Sequence, residues 1–210
     1  MKILSHRDYW LNNNDKNSKA AFARSFELGF GVETDIRDYM GDLVISHDIA
    51  DNHSMKLDSF FELYNKFDNS LPLAINIKSD GLQIKLKQAL EDFEITNYFV
   101  FDMSVPDGLG YLRSGINTFT RQSEFESQPS FYHDVKGVWM DEFREHWISE
   151  EQILKHIDNE KQVCIVSPEL HGRKYKSEWL DYKKVEKKMS ASGLMICTDK
   201  PIEAKEFFDD

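Results

Sequence analysis

The sequence predicts an α/β protein: a small (β/α)8 TIM barrel, with eight parallel strands closed into a barrel. Three observations predict it. Short apolar runs alternate with longer amphipathic stretches along the whole chain, which implies crossover units and a parallel sheet. Eight such units in 210 residues leave about 26 residues each, near the lower size limit for that architecture. No glycine-rich phosphate loop follows any apolar run, so an open doubly wound sheet has no nucleotide-binding signature to support it.

The elements follow in order. Residues 2–5 read as the first strand. Residues 17–28 read as a helix, with Ala20, Ala21, Phe22, Phe26 and Leu28 as its apolar stripe and Gly29 as its stop. Residues 31–35 form the second strand, and the Gly41-Asp42 turn joins it to a short extension at 43–46. A helix at 57–67 carries Leu57, Phe60, Phe61, Tyr64 and Phe67 near helical spacing. Residues 71–77 make the third strand, opened by Pro72, then come a helix at 81–93 and a strand at 98–101. A short helix at 106–113 starts at Pro106 and ends at Gly115, before a fifth strand at 116–120. Residues 122–136 lack a helical stripe and read as an irregular turn. Strands at 137–141, 162–166 and 194–198 alternate with helices at 149–157 and 177–189, the former capped by Ser149 with Gln152 three residues on. The expectation is one domain spanning 1–210.

In such a barrel the C-terminal ends of the strands line the site. Those ends carry His6 and Arg7, Glu33 and Asp35, Asn76 and Lys78, Arg121, Asp141, and Glu169 with His171 and Arg173, whereas the strand bodies are apolar. Glu33 and Asp35 are two apart on a strand, so they share one face. Two acids side by side on a core-facing strand repel each other and lose hydration, and a divalent cation is the usual reason to tolerate that.

Ser5-His6-Arg7, Asn17-Ser18 with Ala21-Phe22, Gly29, Glu33-x-Asp35 and Gly41-Asp42-x-Val44-x-x-His47-Asp48 together resemble the glycerophosphodiester phosphodiesterase family. That family belongs to the wider phosphatidylinositol phospholipase C-like phosphodiesterases. Weaker echoes lie at Ile75-Asn76-Ile77-Lys78 and Thr198-Asp199-Lys200-Pro201, and residues 80–190 share mainly the rhythm of strands and helices. The resemblance implies a TIM barrel that cleaves a P–O bond of a glycerophosphodiester-like or related soluble phosphodiester. It implies His6 and His47 as the acid/base pair, a role suited to a side chain titrating near neutrality. Arg7 would bind a phosphate oxygen through its planar fork, and Lys78 would add a second positive charge. Glu33 and Asp35 would hold Mg²⁺ or Ca²⁺, hard cations that prefer oxygen ligands. The loop residues Glu169, His171 and Arg173, with Asp141, are expected to face substrate or to form a polar surface turn.

The chain departs from the family's pattern in three places. Asp8 stands where glycine usually follows His-Arg, with Tyr9 and Trp10 after it, so the first loop is bulkier. Lys16 replaces the Glu of a Glu-Asn-Thr triplet. Asn76 takes the place of the third metal carboxylate; its carbonyl can ligate a hard cation, and Asp141 is the alternative.

Composition narrows the partners. Lys plus Arg total 26 against 37 Asp plus Glu, a formal net charge of −11, which argues against nucleic acid and anionic membranes as ligands. A local cation still lets a pocket accept an anionic small molecule. No apolar run approaches the ~20 residues of a membrane span, and the first residues lack a signal-peptide pattern, so a cytoplasmic protein is expected. Cys164 and Cys197 sit inside apolar runs and are expected as buried thiols. His53, His133, His146 and His156 are expected at the surface, and Tyr9, Trp10 and Trp139 either stack on substrate or pack. Two other readings stay open: a phosphodiester-binding barrel whose catalysis is impaired by Asn76 and the altered first loop, and an unrelated metal-dependent sugar-phosphate isomerase or aldolase barrel.

Overall fold

A computed structural model describes residues 1–188 and 193–209. The chain divides into two compact units, Leu4–Thr118 and Met1–Ile3 with Phe119–Asp210.

In the first unit, β1 (Lys2–His6) pairs in parallel with β2 (Gly31–Tyr39), setting Leu4 opposite Gly31 and His6 opposite Glu33. Between them lies α1 (Lys19–Glu27). It starts two residues later than the stripe alone suggests, because Asn17 has φ 57° and the Ser18 side chain accepts the Ala21 N–H as N-cap. α1 buries Phe22 and Phe26 against α2 (Leu57–Tyr64). The Phe22–Phe60 and Phe26–Tyr64 centroids lie 4.6 and 5.3 Å apart, contacts that add about 0.5–1.5 kcal/mol each beyond area burial.

β2 continues four residues past Asp35. It turns at Met40 (φ 51°) and Gly41 (φ 92°), the two positive φ values a two-residue hairpin requires, into antiparallel β3 (Asp42–Ile45). β3 pairs with β4 (Met55–Lys56), a two-residue strand too short to leave a sequence pattern. On its other edge β2 pairs in parallel with β5 (Leu73–Ile77), with Asp35 opposite Asn76, and β5 pairs with β6 (Tyr98–Phe101). Helices α3 (Gln83–Asp92) and α4 (Val105–Arg113) follow β5 and β6. The run at 116–120 is not one strand. Ile116 closes α4 by donating to Tyr111 O, Thr118 bridges Val100, and strand pairing resumes at Phe119.

In the second unit β7 (Phe119–Gln122), β8 (Gly137–Met140), β9 (Gln162–Val166) and β10 (Leu194–Thr198) pair in parallel in that order. α5 (Glu150–Asp158) starts in a capping box between Ser149 and Gln152. α6 (Lys176–Lys188) follows β9; Met189, expected as its last residue, lies outside the described residues. A helix not expected from the sequence, α7 (Pro201–Asp209), places Phe207 and Phe208 against Trp179 of α6. Cys164 and Cys197 are both buried.

His156 corrects an expectation: it is 3% exposed, not at the surface. It lies three residues after Ile153 on the buried face of α5, with Tyr132 Oη 2.8 Å from Nδ1 and Gln122 Oε1 2.7 Å from Nε2. Burial pushes its pKa down to about 4, with Lys155 adding to the shift, so the ring is neutral. No helix among the described residues is long and apolar enough to cross a membrane.

Candidate active site

Parallel register brings the strand ends of the first unit to one level. His6 is paired across to Glu33, and Asp35 across to Asn76, so residues separated by up to 70 positions meet where β1 and β5 end beside the middle of β2. Glu33 is 2% exposed and Asp35 1%. Two buried carboxylates would repel each other strongly, so their surroundings must supply compensating charge and donors.

They do. The Arg7 N–H donates to Glu33 Oε2 at 3.2 Å, Asn76 Nδ2 donates to Oε1 at 3.3 Å, and His6 Nε2 lies 3.9 Å from Oε2. Around Asp35, Arg7 Nε lies 3.3 Å from Oδ2, Asn17 Nδ2 donates to the same oxygen at 3.2 Å, and Lys78 Nζ stands 3.4 Å from Oδ1. Lys78 also reaches Asp102 Oδ2 at 3.7 Å. Burial, then the charge of Asp35, pushes the Glu33 carboxyl above the usual range, while His6, Lys78 and Arg7 pull it back.

Local backbone geometry makes this possible. Arg7 (φ 50°) and Asp8 (φ 69°) are both left-handed, at a cost of roughly 1–2 kcal/mol each. That turn brings Asp8 N–H to Ser5 O and lets the Arg7 N–H and guanidinium face two different acids. Asn17 holds the far side of the loop: its N–H donates to Arg7 O, and its side chain bridges Asp35 and Thr34.

The oxygen set suits a hard cation. Asn76 is buried, yet its Oδ1 accepts no hydrogen bond, and neither does Asp35 Oδ1. A buried carbonyl oxygen without a donor, beside two carboxylates, is what Mg²⁺ or Ca²⁺ coordinates.

His47 sits on the loop that leaves β3, anchored by the Ser46 N–H donating to Asp35 O. Its Nδ1 meets Asp48 Oδ1 at 2.8 Å. The His47 hydrogen bond and charge, and then Arg7 and Arg37, hold the Asp48 carboxyl below its ordinary value, which puts this loop within electrostatic reach of Arg7.

The other expected residues belong to the second unit, where each has partners of its own. His171 Nε2 lies 2.7 Å from Asp141 Oδ1, a contact that raises the His171 pKa. Glu169 accepts from the Ser167 and Thr198 hydroxyls and the Asp199 N–H. Arg173 donates to Glu142 Oε2 at 3.1 Å and to Glu178 Oε1 at 2.6 Å. Glu142, His146 and Glu178 are close enough to share a metal ion. Arg173 pairs with both acids, and Glu142 also accepts the Trp147 and Ile148 N–H groups, so the cluster already forms a hydrogen-bonded ion-pair network.

Three participants were not assigned roles from sequence: Asn17, Asp102 and Glu142. Asp102 had a readable signal, an acid directly after the apolar strand β6. Asn17 and Glu142 act through contacts that no spacing in the chain encodes.

No family model matches the chain, and no curated protein matches it in sequence. Solved structures do resemble it. A glycerophosphodiester phosphodiesterase from Agrobacterium tumefaciens matches with TM-score 0.71 at 13% identity, over 100% of both chains. A phosphodiesterase from Oleispira antarctica, solved in complex with the product sn-glycerol-3-phosphate, matches with TM-score 0.67 at 14% identity, over 100% of this chain and 97% of that one. Phosphoribosyl anthranilate isomerase from Thermus thermophilus matches less closely, with TM-score 0.54 at 8% identity, over 99% of this chain and 95% of that one. With its parallel strands and intervening helices, the chain has the α/β fold of the TIM-barrel enzymes.

Proposed function

We propose that the chain is a metal-dependent phosphodiesterase that cleaves a P–O bond of a small glycerophosphodiester-like substrate. One observation carries the reading. Two nearly inaccessible carboxylates, Glu33 and Asp35, lie on one face of β2 beside the donor-free carbonyl of Asn76 on the neighbouring strand, and Arg7, Lys78 and His6 surround them. The likeness to phosphodiesterases, one of them holding sn-glycerol-3-phosphate, supports the same chemistry.

Glu33, Asp35 and Asn76 would hold a divalent cation, Mg²⁺ or Ca²⁺. When bound, that ion offsets the negative charge that gathers on the phosphoryl oxygens. Arg7 and Lys78, which stand beside Asp35, would offer their donors to the non-bridging oxygens. Asp48 fixes the proton of His47 on Nδ1, which leaves Nε2 to accept the proton of the attacking hydroxyl or water. His6 returns a proton to the leaving alkoxide. The attacking group is either water or a hydroxyl of the substrate, and the same residues serve both routes.

The test is a panel of glycerophosphodiesters and bis(4-nitrophenyl) phosphate, assayed with Mg²⁺, Ca²⁺ or chelator, for the wild type and for His6→Ala, His47→Ala and Glu33→Ala. Diester cleavage lost with chelator and in all three variants is expected. Cleavage indifferent to chelator and to every substitution defeats the reading. Diester binding without turnover indicates a binding protein on the same fold.

A further inference from the structure

Asp8 is a carboxyl that nothing in the proposed reaction uses. It is 1% exposed, and neither oxygen has a hydrogen-bond donor. Its backbone has φ 69°, a conformation that favours glycine, so the side chain is kept at a conformational cost.

The groups that face it are committed elsewhere. Arg24, from α1, donates to Tyr9 O at 3.0 Å and to Asp15 Oδ2 at 3.3 Å. The Asn17 N–H donates to Arg7 O, and the Ser18 N–H to Asp15 O. Burial pushes the Asp8 carboxyl up to about 9; Arg24 and the N–H groups of Asn17 and Ser18 draw it down, and Asp15 draws it up. Asp8 is thus a neutral acid wedged inside the loop whose two sides are Arg7 and Asn17. Those two residues meet Asp35 Oδ2, Arg7 as an ion pair and Asn17 as a hydrogen-bond donor.

We propose that Asp8 is a positioning residue for the phosphodiester reaction, its buried carboxyl setting Arg7 and Asn17 against Asp35 from opposite sides of one loop. This rests on the phosphodiesterase reading above. When the carboxyl ionises it must recruit donors or water. The groups that act on it are Arg24 and the N–H groups of Asn17 and Ser18, and taking any of them from its present partner loosens the loop. Alkaline pH therefore releases Arg7 from its place.

Two measurements test it together. The first follows the backbone amide NMR signals of Arg7, Asn17 and Asp35 from pH 7 to 10.5, in the wild type and in Asp8→Asn. A common midpoint near pH 9 is expected in the wild type and none in the variant. No midpoint, or the same midpoint in Asp8→Asn, overturns the proposal. Asp8→Gly replaces Asp8→Asn if the amide variant does not fold. The second is kcat/KM against pH, each protein scaled to its own maximum. Loss of the general acid gives both proteins an alkaline limb. Beyond it, the wild type should fall more steeply above about pH 9 through a rising KM, by up to a further tenfold per pH unit, and Asp8→Asn should lack that added fall. Superposable profiles overturn the proposal. Wild-type protein that cleaves no diester defeats the phosphodiesterase reading instead, and the positioning proposal with it; the NMR midpoint then reports only a structural coupling of Asp8 to the loop.

Discussion

Arg7 Nε lies 3.3 Å from Asp35 Oδ2, although the residues are 28 positions apart, one in the turn after β1 and the other on β2. The pairing neutralises a nearly inaccessible acid, and Lys78 does the same at Oδ1. In the proposed reaction that charge is shared with a cation and then with phosphate. Arg7→Ala should lower kcat/KM by about 10²-fold, the usual loss for one donor to a developing anion. Arg7→Lys should recover only part of it, because an ammonium cannot reproduce the planar fork. Steady-state kinetics on a soluble diester decides this; an Arg7→Ala enzyme within twofold of wild type would sink the assigned role.

Asn76 gives a test that does not depend on turnover. Its Oδ1 is buried without a donor, beside Glu33 and opposite Asp35 in register. Asn76→Asp adds a third acid to the group, so the metal-free protein should melt lower than wild type. Added Mg²⁺ or Ca²⁺ should then raise its Tm by more than it raises that of wild type; saturation at a hundred times Kd corresponds to about 2.7 kcal/mol. Asn76→Ala should weaken the cation response. Equal metal-induced shifts in all three proteins would remove Asn76 from the ligand set.

How much of this was legible beforehand follows from what a sequence encodes. Alternation marks strands, and i, i+2 spacing puts Glu33 and Asp35 on one face without any structure. Register between strands is not written in spacing, so the levels of His6 with Glu33 and of Asp35 with Asn76 come only from the fold. Asp141, Glu169, His171 and Arg173 are chemically indistinguishable in sequence from residues awaiting a ligand. The fold shows His171 spent on Asp141 and Arg173 spent on Glu142 and Glu178. His156 was misplaced because a polar residue within a helix reads as solvent-facing, whereas its spacing from Ile153 puts it on the buried side.

Two glycines at the mouth of β2 should respond differently to alanine. A Cβ on Gly31 would lie 2.6 Å from Leu4 Cδ2 and 2.6 Å from Pro72 O, and the carbonyl cannot swing aside. Gly31→Ala should destabilise by about 1–3 kcal/mol or more through forced backbone shifts. Gly29 has open space around it, but φ is 76°, so Gly29→Ala should cost about 1–2 kcal/mol from the left-handed backbone alone. Urea unfolding of both variants checks the order. A Gly31→Ala protein as stable as wild type would contradict the close approach of β1 to β2.

The Glu142–Glu178 pair makes the second unit's stability depend on pH. Glu142 is fully buried. Burial works against its charge, but the hydrogen bonds of Glu178, the Ile148 N–H, Arg173 and the Trp147 N–H outweigh burial and hold its pKa low. Burial, then Glu142, pushes the Glu178 pKa from 4.5 up to about 8, so the folded state keeps a proton there that the unfolded chain releases. For a group with a raised pKa, the stabilisation is complete below the unfolded value and is lost as pH climbs through the folded one. Glu178→Gln keeps the shape of the side chain and cannot ionise. Relative to wild type it should therefore gain stability steadily from about pH 5 to pH 8, and level off above that. Glu142→Ala should be destabilised by about 3–5 kcal/mol already at pH 5, because it takes from Arg173 one of its two acids and leaves two backbone donors unpaired in the interior. Thermal melts at pH 5, 7 and 9 separate the two behaviours. A constant Tm difference between Glu178→Gln and wild type across that range would mean that Glu178 carries its charge in the folded state, held by Arg173 and His146.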